Sequence, residues 1–124
     1  MTNKAMRPPN LGRIEELLPL LARGWRAARD QGACTQQRLH RLLAPRDGGM
    51  LAPVFDSLMT LCEAAMGRRF AVGVASRLSA DERLLLGMLA GSQRPRACLG
   101  CAEGAAKALD CSLCSTRIML ALAG

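Results

Sequence analysis

Residues 50–67, MLAPVFDSLMTLCEAAMG, carry the plainest helical signal in the chain. Leu51, Val54, Phe55, Leu58, Leu61, Cys62 and Ala65 recur at intervals of three and four, the stripe of an amphipathic helix. Gly67 stands where such a helix stops, because a residue without Cβ takes the left-handed conformation of a C-cap at no steric cost.

The same period extends toward the N-terminus. Leu11, Ile14, Leu18, Leu21, Trp25 and Ala28 form a second stripe, with Arg13, Glu16, Arg23 and Arg26 on the opposite side. Asn10 is placed to cap this helix, Pro19 to kink it or mark its first turn, and Gly32 to end it. Thr35 is read as the cap of a short helix over 36–44 with Leu39, Leu42 and Leu43 inward; Pro45 stops it and Asp47-Gly48-Gly49 is a turn.

Beyond Gly67 the pattern changes. Phe70, Val72 and Val74 alternate with small residues, the one strand-like segment; it has no partner within the chain and is read as an extended connector or as a strand that pairs across a dimer. Ser79-Ala80-Asp81-Glu82 is a capping box, in which the Ser hydroxyl takes the N3 amide and the Glu reaches back. Leu84, Leu85, Met88 and Leu89 follow, and Gly91 closes that helix. A basic linker over 92–96 containing Pro95 leads to two further helical stretches near 98–109 and 111–123.

Composition supports the same class. Of 124 residues, 50% are hydrophobic but only 2% aromatic, with Trp25, Phe55 and Phe70 and no Tyr. Leu and Ala favour helix, and the scarcity of aromatic residues excludes most β-sandwiches and a base-stacking platform. The expected fold is mainly α: a tail over 1–9 read as disordered, then one compact domain over 10–124. That domain has five to six helices, a short extended segment near 70–75 and a cysteine-pair subregion over 97–124.

The formal charge is +7, and its distribution is uneven. Residues 1–46 hold nine basic side chains against three acidic ones. Such a cluster attracts nucleic acid, an acidic partner or an anionic membrane surface, although a GC-rich genome would also enrich the arginines. The candidate contacts are Arg13, Arg23, Arg26, Arg38 and Arg41. Leu17–Ala22 is too short for a secretory core and follows Arg13, Glu15 and Glu16, and no run reaches the roughly 20 apolar residues of a membrane span. A cytoplasmic chain with reduced thiols is the expectation.

The six cysteines are then buried thiols or metal ligands rather than three disulfides. Cys98, Cys101, Cys111 and Cys114 form two CxxC pairs nine residues apart. Two such pairs could complete a tetrahedral zinc shell. The competing reading places each pair on the apolar stripe of its helix as packing, because no knuckle glycine follows either pair. Thiol redox chemistry is a third reading. Cys34 and Cys62 read as structural, and the lone His40 as surface or boundary.

No GxSxG, P-loop or GxGxxG motif is present, so no catalytic residue is assigned. Glu15-Glu16 and Asp81-Glu82 are explained by helix dipoles rather than acid–base work, and Arg68-Arg69 as a solvated charge pair or a phosphate grip.

APVFDSLMTLCEAAMG, RRFAVGVA and LSADERLLLGMLAG, within residues 50–91, resemble a family of small alphaproteobacterial proteins of unknown function. In that family a central helix leads to a short extended segment and then to a Thr/Ser-x-Asp-Glu capped helix. The resemblance implies a bacterial cytoplasmic helical protein and no activity. The functional expectation is a non-enzymatic binding or regulatory protein, without cofactor, that meets an acidic protein or nucleic acid through its basic N-terminal helices and can form a homodimer. The alternative is a four-cysteine zinc protein, and the third reading a thiol redox protein.

Overall fold

Trp25 sits at the centre of the fold with no exposed surface. The computed structural model describes residues 13–94 and 101–123, and these form five α-helices with no strand among them. They are α1 (Ile14–Asp30), α2 (Thr35–Leu43), α3 (Leu51–Met66), α4 (Ala80–Ala90) and α5 (Glu103–Ala123), with a 3₁₀ turn over Ala44–Arg46. The tail over 1–9, the Asn10 cap, Pro95 and Cys98 lie outside the described residues.

Each helix buries the stripe its spacing dictates. Leu17, Leu18, Leu21, Ala22, Trp25 and Ala28 turn inward from α1, and the helix runs through Pro19. Leu39 and Leu43 do so from α2, and Leu51, Phe55, Leu58 and Cys62 from α3. Helix α3 packs against α5 and α2, α1 against α2 and α4, and α4 also against α5. The expected glycine stops at Gly67 and Gly91 are in place, both at positive φ.

Three expectations are corrected. Thr35 does not cap α2: it is the first helical residue, Cys34 holds the cap position, and the Thr35 hydroxyl instead donates to Asp56 Oδ1 at 2.6 Å. Among the described residues the C-terminal part is one helix of 21 residues rather than two. Nothing between Leu109 and Cys111 breaks it, since an Asp in a helix interior costs well under 1 kcal/mol and neither Gly nor Pro intervenes. Continuity then fixes its faces: Ala106, Leu109, Leu113 and Thr116 are buried, while Cys111 and Cys114 are exposed rather than part of the packed stripe. Cys34 is also exposed, so of the two cysteines read as structural only Cys62 is in the core.

Between α3 and α4 the chain is extended without being a strand; its one ladder contact is the Val74–Arg77 bridge across a two-residue turn.

Candidate interaction surface and the clasp beneath it

The 68–79 connector has no neighbouring strand, so its amides need other acceptors. Carboxylates supply them. Phe70 N–H donates to Glu63 Oε2 at 2.8 Å, Ala71 N–H to Asp81 Oδ2 at 2.8 Å, and Gly73 N–H to Glu82 Oε1 at 3.1 Å. The Ser79 amide also reaches Glu82 Oε1, at 2.9 Å, and Glu82 N–H returns to Ser79 Oγ at 3.0 Å, completing the capping box. The Ser79 hydroxyl donates to Ala71 O at 2.7 Å.

Arginines neutralise these carboxylates. Glu82, fully buried, receives Arg23 Nε on Oε2 at 3.0 Å and Arg23 Nη2 on Oε1 at 3.2 Å. The same guanidinium donates to Ala75 O at 2.7 Å and Arg77 O at 3.3 Å, so α1 holds both sides of the turn. Arg68 meets Asp81 with two parallel bonds of 2.7 and 2.6 Å, the bidentate geometry its planar fork favours. That pair of bonds holds the Asp81 carboxyl below the usual carboxylate range against the opposing effect of burial, and the Ala71 amide adds to it. Arg26 pairs with Glu63 and with Asp30, and Arg69 also reaches Asp30. Arg26 and Arg29 stack over Trp25, whose indole N–H donates to Asp56 Oδ1 at 2.8 Å.

The turn itself is tight. Ala75 stands at φ 53°, a conformation that L residues with a Cβ disfavour. A Cβ on Gly73 would lie 2.1 Å from Arg77 O, so only glycine fits there. Burial pushes the Cys62 thiol up to about 12, helped by the nearby Asp81 and Glu63 charges.

The five arginines read as contacts therefore divide. Arg23 and Arg26 have side chains only 25% and 12% exposed and are engaged with Glu82 and Glu63. Arg13 is exposed at the start of α1, 3.5 Å from Glu15. Arg38 donates to Gln31 Oε1 at 2.8 Å and Arg41 is exposed on the same short helix. Residues 31–46 contain Arg38, Arg41 and Arg46 and no carboxylate, and Gln36, Gln37, His40 and Arg41 all face outward from α2. A groove of about 740 Å³ runs beside them, floored by Pro19, Leu20, Leu42 and Leu78, with Arg38 on its lining and Glu15 and Glu16 from the start of α1.

The four-thiolate reading includes Cys98, which lies outside the described residues, so only Cys101, Cys111 and Cys114 can be placed among them. No three His, Cys, Asp or Glu side chains there are grouped to hold a metal ion. The reason is α5: Cys111 lies eight residues into the helix, about 12 Å along its axis from Glu103, while Cys101 precedes its start.

Sequence reasoning missed the clasp. Asp81 and Glu82 were assigned to the helix dipole, yet both share the stripe of Leu85, Met88 and Leu89, and this spacing was the available signal that they point inward. Arg68 and Arg69 are solvated, as expected, but are also engaged with Asp81 and Asp30.

Compared with known proteins, the chain matches no family model, no curated protein and no solved structure.

Proposed function

We propose that this is a non-enzymatic binding protein that docks an acidic partner, nucleic acid or an acidic protein surface, on α2, with Arg38 and Arg41 as the contacts. The observation that carries this reading is the absence of any carboxylate over 31–46 beside three arginines. Asp30, which precedes this stretch, is engaged with Arg26 and Arg69, and Asp56 with Trp25 and Thr35, while Asp47 borders the stretch on its C-terminal side. Arg41 and the outward face of α2 face water, and Arg38 lines a groove that Glu15 and Glu16 also line. A binding role is also supported by the carboxylates, since Glu63, Asp81 and Glu82 use their oxygens on backbone amides and guanidinium groups instead of presenting them to a substrate.

Arg23 and Arg26 are committed to Glu82 and Glu63 and are not offered as contacts, although Arg23 also lines the groove beside Arg38. The test is binding of labelled duplex DNA, single-stranded DNA and a poly-glutamate peptide across a salt series. Binding to one of them weakens steeply with salt, and Arg38→Ala with Arg41→Ala lowers the log–log slope by about 2 for the duplex, one counterion per lost phosphate contact. No binding to any of the three probes at low salt overturns the reading.

A further inference from the structure

Helix α5 has two faces, and the core uses one. Its outward face carries Gly104, Ala108, Cys111, Ser115, Ile118 and Leu122, spaced four, three, four, three and four residues apart. That is the a/d spacing of a helix-pairing seam. All six are exposed; Ile118 is 54% and Leu122 76% open, and a Cβ on Gly104 would meet nothing within 4 Å. No seam residue is charged, on a chain whose formal charge is +7. Arg117, on the same helix, is turned away to the Met88 and Leu89 carbonyls at 2.8 and 2.9 Å.

The seam is also graded. Its N-terminal half is small and its C-terminal half large. We infer that α5 pairs antiparallel with α5 of a second copy of this chain, so that Gly104 faces Leu122, Ala108 faces Ile118 and Cys111 faces Ser115. Antiparallel pairing sets each large residue against a small one and keeps the helix separation even, whereas parallel pairing would leave a gap at one end and a clash at the other. The contact is isologous and closes on itself as a twofold dimer. An uncharged seam also lets two strongly basic molecules meet without opposing like charges. Lys107, on the flank, falls opposite Ala121 of the other copy, and Cys114 falls opposite its own equivalent.

The incoming helix gains a second wall. Pro53, Val54 and Leu61 of α3 line a groove of about 430 Å³ beside Ala108, Cys111 and Ser115. The seam is about 27 Å long. A seam of this length is expected to bury an area near the lower end of stable interfaces, about 1,200 Å² in total.

The test is sedimentation equilibrium of the full chain in reductant. The expected result is a reversible monomer–dimer equilibrium that salt strengthens, the opposite of its effect on polyanion binding. Ile118→Glu with Leu122→Glu yields monomer with unchanged helicity and thermal midpoint. Gly104→Leu and Leu122→Ala each weaken association by about tenfold or more, and the two together recover most of it. Bismaleimide cross-links the wild type, and Cys114→Ser removes the cross-link while Cys34→Ser does not. A wild type that stays monomeric at its highest soluble concentration overturns the inference, and residues 1–12 of the same chain or a different protein then cover this face. A dimer indifferent to Ile118 and Leu122, or a double variant no better than the singles, overturns it equally.

Discussion

Arg23 and Glu82 are 59 positions apart in the chain and meet through two hydrogen bonds, Nε to Oε2 at 3.0 Å and Nη2 to Oε1 at 3.2 Å. The pair joins the middle of α1 to the first turn of α4, and both partners also hold the intervening turn. It is a tertiary contact: the fully buried Glu82 carboxylate accepts the Gly73 and Ser79 amides locally, and Arg23 brings it a compensating charge from another helix.

Removing one partner leaves the other uncompensated. Arg23→Ala is expected to cost about 3–5 kcal/mol, the range for breaking a buried pair. Urea unfolding followed by circular dichroism measures it. A loss under about 0.5 kcal/mol, normal for a surface site, would show that the pair is not structural. For the same reason Arg23→Ala is unsuitable as a probe of partner binding, and Arg38 and Arg41 are the positions to change.

Asp81 links stability to pH. Its carboxyl is held below the ordinary value by Arg68, so its contribution is fully present above the unfolded value near 3.9 and is lost as pH falls through the lower folded value. Asp81→Asn should be less stable than the wild type at neutral pH and should lose less stability on acidification. Urea midpoints between neutral pH and about pH 3 give the comparison. An acid limb equally steep in both proteins would refute the assignment.

Leu58 tests the central helix. It is fully buried on the stripe of Leu51, Phe55 and Cys62. Leu58→Ala is expected to cost about 2–5 kcal/mol through lost burial and the cavity left behind. A change indistinguishable from a surface substitution in thermal or urea unfolding would mean that the stripe is not the core.

The thiols should react in two classes. Cys62 is buried with its pKa pushed up to about 12, so it stays protonated and shielded in the native state. Cys34, Cys111 and Cys114 are exposed. Under native conditions, in dilute solution, iodoacetamide should modify those three and spare Cys62 until denaturant is added. Mass spectrometry of the peptides reads the order, and early labelling of Cys62 would contradict it.

What was legible in the sequence follows from which interactions are local. The α3 stripe and the Ser79–Glu82 box depend on residues three or four apart, so spacing alone revealed them. Gly67 and Gly91 were legible because a backbone at positive φ selects one residue type. The clasp was not, since the Arg68–Asp81 pair spans 13 positions and the Arg23–Glu82 pair 59, and no local rule connects them. The packing reading of the Cys111/Cys114 pair fails for a related reason. The CxxC spacing is a local signal, but which side of α5 it occupies depends on whether the helix breaks near Asp110, and it does not.

The carboxylate anchoring of the 68–79 connector has a consequence for how that segment breathes. An irregular stretch between helices ordinarily exchanges its amide hydrogens with solvent quickly, because its hydrogen bonds open one at a time. Here the amides of Phe70, Ala71 and Gly73 are bonded to side chains of α3 and α4, and Arg23 fastens the turn from α1. Releasing one of these amides requires displacing a carboxylate that a guanidinium also holds. In deuterium exchange the three amides should therefore keep pace with the core of α3 and α4 rather than with the loop around Gly48 and Gly49, and the connector should open only when those helices separate.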